Sequence, residues 1–247
     1  MTKLLLPPEP AAKPTALTST SRRSFLRYSG ATMAVGGLLL AGCDDDSEGD
    51  NRIDVGSGDV GVLNYAYALE QLEAAFYAQV KTGTYYSGAS AAEKQIFDDL
   101  ALHEQIHVDF FKTALAGGAI RALEPDFSTI NFNDRTSVLA AAQSFEDLGV
   151  AAYNGAGRFI TAPGYLAVAG KIVSVEARHA ALIRDLRTYN TFVDNDVVDL
   201  FTPTGNASTP GVGNGTGLER SKRPTEVVEI ANQFLKEGSK ISANSLQ

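Results

Sequence analysis

Apolar residues recur at helical spacing in four long stretches of the chain, and the stretches fall into two pairs. The first covers about residues 59–80, with Leu63, Tyr67, Leu69, Leu72, Phe76 and Val80 along it, and Gly83 and Gly88 end it among polar residues. Ser90-Ala91-Ala92-Glu93 has the form of a capping box. The helix it opens carries Ile96, Leu100, Ile106, Phe110, Phe111 and Leu115 as its apolar set and stops at Gly117-Gly118. Residues 119–133 show no period and contain Pro125, so they read as a long crossover. Asp134 suits the N-cap of a third helix reaching about Ile160, rich in alanine at its middle so that a neighbour can approach closely. Pro163 suits the first turn of a fourth that reaches about Tyr189. The pattern predicts an all-α fold: an antiparallel four-helix bundle over residues 59–189, with the long connection between helices 2 and 3. Residues 190–247 form a loop-rich tail that either wraps the surface or moves freely, with a short helix opened by Pro224 and reaching about Lys236.

The first fifty residues stand apart from this pattern. Ser21-Arg22-Arg23-Ser24-Phe25-Leu26-Arg27 precedes a short apolar stretch from Ala31 to Ala41. Eleven residues make a helix of only ~16 Å, against the ~30 Å of a bilayer core, so residues 1–42 read as a signal peptide. The paired arginines followed by Phe-Leu resemble the twin-arginine export signal, and Leu40-Ala41-Gly42-Cys43 resembles a lipobox. That resemblance implies export by the twin-arginine route, acylation of Cys43 and anchoring to a membrane on the periplasmic or outer face. Cys43 is also the only cysteine, so no internal disulfide can form. The acidic run after it reads as a solvated tether that extends to residue 58. A net charge of −8 argues against nucleic acid as a partner, because phosphates need a basic surface.

Candidate chemistry lies in the bundle. Two of the three histidines follow a glutamate by three residues, in Glu104-Gln105-Ile106-His107 and Glu176-Ala177-Arg178-His179. At that spacing both side chains leave one face of a helix and can reach one point in the core. With thirteen glutamates in 247 residues, chance gives such a coincidence below about 1% of the time. Glu70 and Glu146 add one carboxylate from each of the other two helices, amid apolar neighbours. Carboxylate oxygens can bridge two ions and imidazoles can complete their shells, a donor set suited to iron or manganese. The competing account is a metal-free core in which basic side chains neutralise the acids. No Lys or Arg lies between Ile53 and Val80 or between Thr136 and Gly157, which weighs against it.

The two helix pairs also read as a repeat. Glu70 to Tyr77 and Glu146 to Tyr153 share the pattern Glu-x-Leu-x-x-Ala-x-Tyr, which predicts an approximate two-fold axis with one ion served mainly by each half. Glu73 has Gly149 as its counterpart, so Glu70 is the preferred ligand and Glu73 an additional acid beside the site or at its opening. Tyr77 and Tyr153 lie two turns from their glutamates on the same face, where they either pack in the core or hydrogen-bond ligands. His103, adjacent to Glu104, is expected to point away to the surface.

Leu69-Glu70-x-Leu72-Glu73-Ala74-Ala75-Phe76-Tyr77, the two Glu-x-x-His motifs and Phe145-Glu146-Asp147-Leu148-Gly149 together resemble the ferritin-like superfamily, in particular its exported, desiccation-related members. The resemblance covers about residues 59–189. It implies a dinuclear iron or manganese site in which Glu104 and Glu176 bridge, His107 and His179 are terminal, and Glu70 and Glu146 complete the shell. It further implies redox chemistry with O₂ or peroxide in stress protection, as a di-iron peroxidase or oxidase or a dimanganese catalase. The other class of function is a non-catalytic iron-binding or structural lipoprotein on the same bundle. The oligomeric state stays open.

Overall fold

The structure of the protein, a computed structural model, describes residues 51–200 and 215–246. The expected signal peptide, Cys43 and the acidic run at residues 43–50 lie outside them. Helices account for most of the described residues: α1 (Gly58–Val80), the short α2 (Thr84–Gly88), α3 (Ala91–Leu115), α4 (Arg135–Ala156), α5 (Pro163–Arg187) and α6 (Pro224–Ala231). α1 packs along α3, α4 along α5, and the pairs meet chiefly where α1 crosses α4. This is the four-helix arrangement that the apolar spacing predicts. None of the described helices is long and apolar enough to cross a membrane.

Local chemistry sets the helix ends. The Ser90 hydroxyl accepts from Glu93 N at 3.2 Å and the Asp134 carboxylate from Ser137 N at 2.8 Å, each satisfying an otherwise orphaned donor. The Glu93 side chain does not close the box back onto Ser90. It holds Arg135 instead, 2.9 Å from its Nε, and so ties the start of α3 to the start of α4. α4 and α5 are shorter than expected, ending at Ala156 and Arg187, and residues 157–159 tighten into a 3-10 turn.

The crossover lacks periodicity because its backbone is satisfied by side chains rather than by its own ladder. Ile120 N donates to Asn64 Oδ1 at 2.9 Å and Leu123 N to Gln71 Oε1 at 2.9 Å, from two positions seven apart on α1. The C-terminal segment pins its other half, with Asp126 N donating to Phe234 O and Lys236 N to Glu124 O.

Two expectations change, and one of the two alternatives for the tail holds in its described part. Residues 53–58 are not tether: Ile53–Asp54 forms β1 and pairs in parallel with β2 (Ile241–Ser242), and Val55 is buried. An acidic run gives no hint of a partner strand nearly 190 residues away. The tail, in its described part, wraps the bundle. Leu235, Ile241, Ala243 and Leu246 are buried, the Phe234 ring packs 4.8 Å from Phe145, and Lys222 crosses α4 so closely that a Cβ at Gly155 would lie 1.7 Å from its carbonyl oxygen. The second change is Ile106, which with Leu102 is more than half exposed on α3 rather than part of its apolar face. α1, covered by crossover and tail, is buried at every residue from Gly61 to Glu70, so over that stretch the core takes in its full circumference rather than a stripe.

Candidate metal centre

Four helices bring Glu70 (α1), Glu104 and His107 (α3), Glu146 (α4), and Glu176 and His179 (α5) to one point in the bundle. The four glutamates are fully buried, while the His107 and His179 side chains keep 13% and 6% of their surface. Two groups of donor atoms form, each with its members within 4.8 Å of one another: Glu70, Glu104, His107 and Glu176, and Glu104, Glu146, Glu176 and His179. Glu104 and Glu176 belong to both. Their oxygens divide between the histidines: His107 Nδ1 lies 3.3 Å from Glu104 Oε2 and 3.0 Å from Glu176 Oε1, and His179 Nδ1 lies 2.9 Å from Glu104 Oε1 and 3.4 Å from Glu176 Oε2. Glu70 Oε2 stands 3.1 Å from His107, and Glu146 Oε2 stands 3.5 Å from His179. The six residues singled out in the sequence are therefore assembled in one place, in two related sets.

Proximity here is not satisfaction. Glu104 Oε1, Glu146 Oε2, both oxygens of Glu176 and His179 Nδ1 are buried without a hydrogen-bond partner. Buried polar atoms in folded proteins are normally paired, and an unpaired charge in a low-dielectric core is costly. Five orphaned donors aimed at a shared interior point, all of types that ligate hard or borderline cations, fit a pair of divalent ions. Without ions, the charges adjust by protonation. Burial pushes Glu70 and Glu146 up to about 8 against the pull of the histidines. Burial alone would lower His107 and His179, but the carboxylates set closely around them outweigh it and raise both to about 12. Burial likewise opposes ionisation of Glu104, yet its contacts with both histidines hold it near 2.

The tyrosines act across the axis. Tyr77 Oη donates to Glu146 Oε1 and Tyr153 Oη to Glu70 Oε1, so each orients the glutamate of the opposite half rather than its own. Helical spacing placed them on the correct face, but only the packing of α1 on α4 could choose the partner. Glu73 is buried, and a Cβ at Gly149 would lie 3.0 Å from its Oε1, so the glycine is the seat of this carboxylate.

His103 lies at the surface, as expected, but does not turn away from the centre. Though exposed, it sets Nδ1 3.0 Å from His179 Nε2, with the rings nearly parallel. Its place four residues before His107, on the flank that turns toward α5, was the available sign. Beside Tyr153 an apolar cavity of about 20 Å³, bounded by Val62, Leu69, Phe111 and Ala152 among others, has room for a molecule of water size but offers it no polar partner.

The family model of the ferritin-like domain matches residues 58–189. The chain belongs to the ferritin-like family. The matched span runs from the start of α1 to just past α5, more than half of the sequence, and contains all six clustered donors. No curated protein matches the chain. For a ferritin-like bundle the arrangement of one glutamate from each of two helices and a Glu-x-x-His from each of the others is a di-metal carboxylate pattern. The carboxylate and histidine cluster here is compatible with such a site.

Proposed function

We propose that this ferritin-like protein holds two divalent ions, iron or manganese, and performs redox chemistry with O₂ or peroxide. The observation that carries the reading is the set of orphaned buried donors at the centre of the bundle. Glu104 and Glu176, each facing both histidines, would be the bridging carboxylates. His107 and Glu70 would complete one position, and His179 and Glu146 the other. When bound, the ions supply electron transfer and Lewis acidity toward the oxidant. The chain's own residues do the rest. Tyr77 and Tyr153 hold the outer glutamates in one orientation, and the apolar wall of α1 keeps bulk water from the carboxylates. The apolar cavity beside Tyr153 suits a small uncharged reactant such as O₂.

The arginine pair at 22–23 and the lone Cys43 in its lipobox-like setting support an exported, lipid-anchored protein that consumes oxidants outside the cytoplasm. Elemental analysis of protein purified without chelator, followed by peroxide and O₂ turnover, tests the central claim. About two Fe or Mn per chain with turnover is expected. Bound but silent ions would convert the protein to a metal-binding bundle without catalysis, and no metal after anaerobic loading would end the reading altogether.

A further inference from the structure

The two halves of the centre differ at two positions, and both differences fall on the same side. Aligning the repeat through Glu70 and Glu146 places Glu73 opposite Gly149. Aligning it through the two Glu-x-x-His motifs places His103 opposite Val175. Glu73 comes from α1 but lies against Gly149, one turn beyond Glu146 on α4, and Glu146 acts on it more strongly than any other carboxylate. It is buried and makes no hydrogen bond among the described residues. His103 stands behind His179. Once Nδ1 of His179 ligates an ion, the ring's proton sits on Nε2, 3.0 Å from His103 Nδ1, which can then accept it. His107 Nε2 has no such acceptor among the described residues.

Resting on the dinuclear reading above, we infer that the two metal positions are unequal, and that the one formed by Glu146 and His179, reinforced by Glu73 and His103, takes the first ion. Beyond the shared bridges this position has Glu146, with Glu73 against the next turn of the same helix, and a histidine backed by a second imidazole. Its counterpart has one carboxylate and a histidine free at its far nitrogen. Burial and the neighbouring carboxylates raise the Glu73 pKa well above its ordinary value. A cation that displaces its proton gains a further negative charge in a dry site, and an acceptor behind a ligating imidazole strengthens that ligand. Glu73 and His103 are positioning and charge-setting residues whose effect is the order of filling.

The test is an anaerobic titration of the full metal-free protein with Mn(II), followed by electron paramagnetic resonance. The wild type is expected to show the six-line signal of an isolated ion up to one equivalent, and the exchange-coupled signal only beyond it. Glu73→Gln keeps the shape and removes the charge, and should bring the coupled signal into the first equivalent. His103→Ala, at an exposed position, should weaken the first step about tenfold. Moving the charge across the axis, with Glu73→Gly and Gly149→Glu together, should restore two steps. Should Glu73→Gln fail to fold, His103→Ala carries the test alone. A coupled signal from the first addition in the wild type would overturn the inference, as would variants with an unchanged interval between steps. If no Mn(II) binds at all, the dinuclear reading fails first, and that result is distinct from simultaneous filling.

Discussion

Glu146 and Asp147 are consecutive on α4, and the fold treats their charges in opposite ways. Asp147 receives Arg184 Nε at 2.8 Å and Nη2 at 2.7 Å, and the same guanidinium reaches Asp196 at 2.7 Å. Those contacts hold the arginine's pKa above its ordinary value and Asp196 below its own. Glu146 has the Tyr77 hydroxyl on one oxygen and no hydrogen-bond partner on the other, with only His179 Nδ1 3.5 Å away. A turn of ~100° about the helix axis separates the two, one facing the tail and one the bundle interior. The first site is complete with protein atoms alone. The second is not, although the same pair of helices supplies an arginine to the residue next door. Where neutralisation serves structure it is built in, and where it is left out, the metal reading proposed above has the charge kept for ions from outside.

The contrast is broken most severely at the shared bridges. Glu104→Gln with Glu176→Gln should take bound metal from about two ions per chain to none, read by elemental analysis, while circular dichroism still reports a helical protein. The converse change is Arg184→Ala. It should leave metal content intact and cost roughly 2–3 kcal/mol, below the 3–5 kcal/mol of a sealed pair because Asp196 is largely exposed. A thermal melt measures it, and a parallel loss of metal would show that the two charge systems are not separate.

A smaller effect, with a defined sign, comes from pH. Glu70, Glu146, His107 and His179 all have raised pKa values in the metal-free protein. Each therefore contributes stability that is complete below its unfolded-state pKa and lost as pH rises through its folded one. The window opens near 4.5 for the glutamates, reaches about 8, and continues toward 12 for the histidines. Glu104, held near 2, works the other way, and its contribution fades only as pH falls below about 4.5. The melting temperature of metal-free protein should fall steadily from pH 5 to pH 9. Saturating metal should flatten that slope, because ions replace protons as the counter-charge. A slope that is the same with and without metal would contradict the assignment. Smallest of all, Tyr77→Phe or Tyr153→Phe removes one hydrogen bond to an outer glutamate. Stability should change by about 1 kcal/mol and metal affinity by tenfold or less, as seen by calorimetry.

The fold was legible where one helix face repeats and where a cap or proline marks an end: Ser90, Asp134 and Pro163 each stand at a helix start. It was not legible where burial comes from distant chain. Nothing near Ile53 indicates that Ile241 will pair with it, and nothing in residues 119–133 indicates that Asn64 and Gln71 will satisfy their amides. At the centre, the three-residue interval selected Glu104, His107, Glu176 and His179, because it fixes direction on a helix whatever surrounds it, while apolar neighbours and the internal repeat selected Glu70 and Glu146.

Local periodicity and the two Glu-x-x-His motifs thus determined the bundle and the identities of its inward-facing donors. The tertiary structure alone decided which half each tyrosine serves, that His103 stands behind His179, and that Glu73 rests in the space left by Gly149. The reason is geometric. A helix dictates which face a side chain takes, but its partner depends on how two helices meet, and no interval within one helix encodes that.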